Sequence, residues 1–420
     1  MGVVGIVAEY NPFHTGHGYQ IAQTRQMLGE QTAIVAVMSG NWVQQADCAI
    51  ADKWLRTRLA LMGGVDLVLE LPTVWAASTA ESFARGAVEI MASSGVVTDL
   101  SFGSECGNVE ALKQVAACLD SPEYHAGLRR FLDEGKTFAS CRQSAVGELL
   151  GEELAALLSK PNNNLGVEYI RAIRSLNSAI KPMTVQRQGA AHNSVSAAIG
   201  RLSDGSVFSG PALMDMPQFV SATQIRMDLM EGRWDMAAPY LVPCGRQMLE
   251  NNLIGLSALD RVQRAMLARV RTMTAEDWAR LPDSGAAEGL PVRLERAGRK
   301  CTSMQEFFDL VKTKRYTHAR LSRLVLWAYL GMTAADVPTY PPYIRVLGFN
   351  SRGREVLRDM KERASVPILM KPAKARDLDE QARRLFELEV QCTDLYDLCL
   401  EKIPAPGREW TTGPVILNEI

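Results

Sequence analysis

The chain opens on a short apolar run, Val3-Val4-Gly5-Ile6-Val7-Ala8, as a strand buried on both faces requires. The run breaks at Asn11-Pro12, because proline cannot donate to a ladder and restricts its neighbour. After His14-Thr15-Gly16-His17 an amphipathic pattern predicts a helix, with Tyr19, Ile21, Ala22 and Met27 interleaved with Gln20, Gln23, Arg25 and Gln26. The alternation then repeats. Residues 32–37 predict a second strand, followed by a polar loop over 38–47. Asp52 caps a helix over 53–62 that stops at Gly63-Gly64. Strands are predicted at 65–71, 96–102 and 183–187, with a helix at 78–91 and helical character over 107–160. This order predicts an α/β fold built on a doubly wound parallel sheet.

At 420 residues the chain is too long for one ordinary core. Its character changes near Glu231-Gly232-Arg233-Trp234, and Pro239 and Pro243 mark a boundary, so the expected division is 1–232 and 233–420. The second part is expected to be mainly helical, at 258–273, 304–312 and 318–330. A small α/β portion follows, with strands at 343–348 and 366–369 and helices at 352–363 and 378–399.

Composition narrows the class. Hydrophobic content of 47% and charged content of 22% are those of a globular protein. A net charge of -1 means that any nucleic-acid surface must be a local patch. Eight cysteines lack any paired spacing and read as reduced thiols. The first strand leaves no room for a targeting segment, and Asp66, Glu70 and Pro72 interrupt the most apolar stretch. A cytoplasmic protein without membrane contact is expected.

Ligands of parallel sheets bind beyond the carboxyl ends of strands, where helix-start amides attract phosphate. Gly16 permits close approach there, and His14 and His17 flank it. Two imidazoles at that point can donate to phosphoryl oxygens as charge grows in an in-line displacement. Half a zinc site or a pair of helix caps are the competing readings. Neither Cys-x-x-Cys nor His-Glu-x-x-His occurs to complete a metal site, so no metal ligands are expected. Strand, Asn-Pro break, His-x-Gly-His and helix occurring together favour a nucleotide site. The absence of Gly-x-Gly-x-x-Gly and of a P-loop disfavours dinucleotide dehydrogenases and P-loop NTPases.

Five further segments each admit a bland reading on their residues alone. Gly103 either faces a flat ligand or closes a plain strand-to-helix turn. Arg187 either grips a phosphate or lies on the surface, and Asn162 reads as an ordinary helix cap. Ser221-Ala222-Thr223-Gln224-Ile225-Arg226 offers hydroxyls, helix-start amides and a guanidinium to an anion, or is a simple N-cap. Residues 291–323 hold Arg293, Arg296, Arg299, Lys300, Lys312, Lys314, Arg315, Arg320 and Arg323 against Glu295, Glu306 and Asp309. A solvated helical face is the usual origin of such a run.

The string from Gly5 to His17 resembles the bacterial tRNA(Met) cytidine acetate ligases, a family of the nucleotidyltransferase superfamily related to class I aminoacyl-tRNA synthetases. Ser221 to Arg226 resembles that superfamily's Ser-Ser-Thr-x-Ile-Arg motif. Lys314-Arg315-Tyr316 and Val346-Leu347-Gly348-Phe349-Asn350 extend the likeness over nearly the whole chain. The resemblance implies a nucleotidyltransferase-like Rossmann core that activates acetate with ATP, as acetyl-adenylate, releasing pyrophosphate. The acetyl group would then pass to N4 of the wobble cytidine of elongator tRNA(Met). Mg²⁺ is expected with the ATP, held mainly by phosphates.

The same resemblance implies residue roles. His14 and His17 would be catalytic. ATP would lie along Val7, Ala8, Glu9, Tyr10, Asn11, Pro12, Phe13, Thr15, Gly16, Gly18, Tyr19 and Gln20, and against Gly103, Asn162, Arg187, Ser221 and Thr223. Lys312, Lys314, Arg315, Tyr316 and Arg320 would contact RNA, with Tyr316 stacking on a base. Two departures stand out. The family's Ser-Gly-Asn-Phe-x-Gln-Arg-Gly-Glu-Pro-Ala is replaced by residues 39–49, with neutral Gln45 at the cationic position. Gly189-Ala190-Ala191-His192-Asn193 replaces Gly-Ala-x-Tyr-His-Asp. Two other functions compete: a cytidylyl- or adenylyltransferase acting on a small phosphorylated acceptor, and a non-catalytic RNA-binding module with a vestigial nucleotide site.

Overall fold

The structure, a computed structural model, describes residues 2–134, 137–187, 219–313 and 315–418, and the backbone of two short strands at Gly200–Arg201 and Val207–Phe208. The expected alternation is present. Strand β1 (Val3–Ala8) leads through a loop to helix α1 (Thr15–Leu28), then β2 (Ala33–Ser39), α2 (Lys53–Met62) and β3 (Leu67–Leu71). Helix α3 (Ala80–Ser93) precedes β4 (Asp99–Ser104), and α4 (Pro161–Ser175) precedes β5 (Lys181–Gln186). Strand β1 is central and parallel to β2, in register from Val3 with Ala33 to Ala8 with Met38. Its other edge pairs with β4, which pairs with β5, all parallel. All seven residues of β2 are buried, as an interior strand of a two-faced sheet demands.

The carboxyl-terminal half enters the same sheet. Strand β6 (Ile344–Phe349) pairs antiparallel with the outer edge of β3, with Val346 opposite Leu69 and Phe349 opposite Leu67. Strands β7 (Ile368–Leu369) and β8 (Val415–Ile416) then pair parallel with β6. The order is β7-β6-β3-β2-β1-β4-β5, so the expected small α/β portion continues the central sheet rather than making one of its own. The cause is the exposed ladder of β3, whose five residues are all buried and whose edge needs a partner. Asp66 seals this join. Its carboxylate accepts from the Ile34 amide at 2.8 Å and from Asn350 Nδ2 at 3.0 Å, and pairs with Arg25 at 2.8 Å.

The loop expected to be polar over 38–47 is also different. It is a buried hairpin of Trp42–Val43 against Asp47–Cys48, covered by the helix Glu380–Asp397. Trp42 Nε1 donates to the Cys392 carbonyl at 2.9 Å, and the Tyr396 hydroxyl to that of Ala49 at 2.8 Å. Beside it Lys53, with no exposed surface, lies 2.6 Å from both Glu70 and Glu409. Among the described residues no helix is long and apolar enough to cross a membrane.

Candidate active site

The carboxyl end of β1 and the start of α1 build the centre of the site. Buried Tyr10 sits edge-on to His17, ring centres 4.9 Å apart, and packs on Phe13 at the same distance. Phe13 in turn lies over Gly63, where a Cβ would stand 2.3 Å from its ring. The histidines thus rest on an aromatic floor. His14 caps α1, its Nδ1 accepting from the Gly16 amide at 3.0 Å. His17 Nδ1 accepts from the His14 amide at 3.2 Å, closing a reciprocal cap.

That cap sets the tautomers. An Nδ1 that accepts carries no proton, so each neutral ring holds its hydrogen on Nε2. Burial first, then the cations of Arg187 and Arg226, lowers the pKa of His14 to about 3. His17 is pushed well below its usual value by burial, His14 and Arg187. Both rings are therefore neutral donors. Capping, weighed as a rival to a ligand site, occupies Nδ1 of each ring and leaves the Nε2–H group to donate.

Other elements converge on this point. Helix α5 (Ala222–Met230) is capped by Ser221, whose hydroxyl accepts from the Gln224 amide at 3.2 Å. Arg226 Nη2 donates to Thr223 Oγ1 at 3.2 Å, and its Nη1 to the Asn11 carbonyl at 2.9 Å, tying α5 to the loop before α1. Phe219 packs against Tyr19, ring centres 5.5 Å apart. On the opposite side Arg187 leaves β5, its amide donating to the Ser104 carbonyl at 2.8 Å. A Cβ on Gly103 would come within 3.2 Å of Arg187 Cγ, so the two line one wall.

Asn162 is not a helix cap. It lies in the first turn of α4, after Pro161, and its Nδ2 donates to Glu105 Oε1 at 2.7 Å. Asn163 Oδ1 accepts from the amides of Glu105 and Cys106, at 2.9 and 3.1 Å. The pair locks the loop after β4. Several of the expected nucleotide contacts also hold the framework together. Gln20 Nε2 donates to the Ser101 carbonyl at 3.1 Å, Asn11 Oδ1 accepts from the Ile50 amide at 2.7 Å, and Tyr10 and Phe13 are buried. A Cβ on Gly18, by contrast, would meet nothing within 4 Å among the described residues.

The HIGH Nucleotidyl Transferase family model matches residues 1–408. The tRNA(Met) cytidine acetate ligase of Syntrophomonas wolfei is 33% identical over 436 residues, covering 99% of each chain. That of Clostridium kluyveri is 33% identical over 437 residues, with both chains fully covered. The chain belongs to the tRNA(Met) cytidine acetate ligase family. Thermotoga maritima TmcAL, crystallised bound with alpha-thio ATP, superposes with a TM-score of 0.87 at 32% identity, and both chains are fully covered. Its apo form gives the same values.

For this member of the tRNA(Met) cytidine acetate ligase family, the expected RNA contacts divide. Tyr316 is corrected: its ring is buried and its hydroxyl donates to the Glu288 carbonyl at 3.0 Å, so no base can stack on it. Arg320 lies 3.1 Å from Asp283 and 3.3 Å from Glu288. These acids sit just upstream of the basic run and neutralise part of it. Arg315 and Lys312 are exposed, Arg315 lying 3.6 Å from Glu288. Lys314 and the segment 189–193 lie outside the described residues.

Arg56 escaped sequence reasoning. Fully buried, it donates to the carbonyls of Glu9, Ser39, Gly40 and Ala51, clamping the ends of β1 and β2. An amphipathic helix with one arginine on its buried face carries no signal of that role. Among the described residues no cluster of three or more His, Cys, Asp or Glu could hold a metal.

Proposed function

We propose that this chain is an ATP-dependent tRNA(Met) cytidine acetate ligase. It joins acetate to AMP with release of pyrophosphate, then passes the acetyl group to N4 of the wobble cytidine of elongator tRNA(Met). The observation that supports this best is the pair of stacked, neutral histidines whose Nε2–H groups have no partner among the described residues. The full-length likeness to relatives bearing that name supports the choice of substrates. Residues 1–232 carry the ATP site and 233–420 the greater part of the tRNA surface, in a cytoplasmic enzyme.

Carboxylates do not acylate amines unaided, and the mixed anhydride supplies a good leaving group. His14 and His17 donate through Nε2 to the α-phosphate as negative charge builds in the in-line displacement. Being neutral beforehand, they need no water reorganisation to do so. Ser221 and Thr223, with the free amides that open α5, hold the β- and γ-phosphates, and Arg187 and Arg226 balance the charge. Gly103 lies against the nucleotide, with Asn162 and Asn163 fixing that loop. Mg²⁺ entering with ATP would be held mainly by the phosphates, since among the described residues no cluster of three or more His, Cys, Asp or Glu could hold it.

The test is ATP–pyrophosphate exchange. Exchange that depends on acetate supports the ligase; exchange that needs a phosphorylated metabolite supports a nucleotidyltransferase, and none at all a binding module. Mass spectrometry of tRNA nucleosides should then find acetylcytidine only when enzyme, ATP and acetate are all present.

A further inference from the structure

Glu9 is out of place among phosphate contacts. Its carboxylate would repel a triphosphate, and its side chain bonds to the hairpin after β2. There Oε1 accepts the Gln44 amide at 2.9 Å, while Oε2 has no partner among the described residues. The residue is only partly covered.

Arg226, anchored on the Asn11 carbonyl, acts electrostatically on His14, Glu9 and Asp47 alike. Two carboxylates, Glu9 and Asp47, therefore share the field of the cation that acts on His14.

We propose that Glu9 is the general base of acetyl transfer, accepting through Oε2 the proton that the cytidine N4 amine loses. This rests on the ligase reading above. In the step, N4 attacks the acetyl carbon, the carbon–oxygen bond to AMP breaks, and its electron pair leaves on the phosphate. The N4 proton passes to Glu9. An exocyclic cytidine amine is a poor nucleophile until that proton goes, so a fixed carboxylate contributes where water would not. Four charged or titratable groups face Glu9: Arg226 of α5, Arg56 of α2, Asp47 of the hairpin and Tyr169 of α4. Burial outweighs the two arginines and raises its proton affinity, toward what a base working near neutrality needs.

Glu9→Gln keeps an acceptor for the Gln44 amide but cannot take a proton. Full-length wild type and variant are compared in acetate-dependent ATP–pyrophosphate exchange and in single-turnover transfer from the adenylate to tRNA(Met), over pH 5–9. Transfer should fall about a hundredfold, exchange less than about fivefold, and the acid limb of the transfer profile should flatten. Glu9→Asp should keep that limb at a lower rate. Transfer at the wild-type rate, or equal loss of exchange and transfer in Glu9→Gln, overturns the assignment. A wild type without acetate-dependent exchange overturns the ligase reading instead.

Discussion

The rings of His14 and His17 stand 3.8 Å apart, inclined by 33°, and each gives its Nδ1 to a backbone amide of one helical turn. Geometry and chemistry can therefore be separated by substitution. Asparagine is a good N-cap but offers no Nε2–H. His14→Asn should leave the melting temperature nearly unchanged and lower adenylate formation by 10²–10³, as loss of a transition-state donor does. His17→Ala should abolish adenylate formation while tRNA affinity holds. Equal loss of both in His17→Ala would contradict its role.

Gly16 is the contact that keeps these rings in place. A Cβ there would lie 2.9 Å from His14 Cε1, so Gly16→Ala must push the imidazole aside. Exchange activity should fall by more than about tenfold, because an ångström of misplacement can cost about a hundredfold. Unfolding should change by only about 1 kcal/mol, since the site is at a helix start near the surface. Full activity in the alanine variant would show that His14 has room to spare.

Stability should depend on pH in two opposed ways. His14 titrates near 3 when folded, below its unfolded value of about 6.5. Its contribution is complete above pH 6.5 and is lost as pH falls toward 3, at about 1.4 kcal/mol per pH unit. Buried Glu389 is raised to about 8, by burial first and by Glu70 second, and takes up both polar groups of Thr73. Its contribution is complete below pH 4.5 and is lost as pH rises through 8. Between pH 6.5 and 8 Glu389 dominates, so wild type should weaken there in urea titrations while Glu389→Gln stays flatter. Parallel curves for the two proteins would remove Glu389 from the explanation.

The basic segment should not behave uniformly toward RNA. Arg315 is 68% exposed, so Arg315→Ala should weaken tRNA binding and lower the salt slope by about one, as should Lys312→Ala. Arg320 is 18% exposed and bridges Asp283 and Glu288. Arg320→Ala should chiefly lower the melting temperature, with less effect on the slope. An unchanged slope in Arg315→Ala would reject that face as the RNA surface.

The strand–helix alternation of the first half, the histidine turn and the Ser221 helix start were legible in the sequence. Each is a local pattern: an apolar run, a proline break, a capping hydroxyl. Asn162 misled because an asparagine at a helix start reads as a cap, whereas its side chain reaches Glu105, 57 residues earlier. Tyr316 misled because a tyrosine within a basic run reads as exposed until its hydroxyl finds the Glu288 carbonyl.

By itself the chain determined the kind of chemistry, since two imidazoles flanking a glycine at a strand end are set by residues only a few positions apart. Only the tertiary structure decided which atoms are available. The reciprocal cap assigns both protons to Nε2, burial keeps the rings neutral, and Arg56 clamps the strand ends beneath them. It also joined β6 to β3 across about 280 residues, because a buried ladder edge takes whichever strand the fold brings to it. Pairings at that separation depend on shape and desolvation, and no local pattern of hydrophobic and polar positions encodes them.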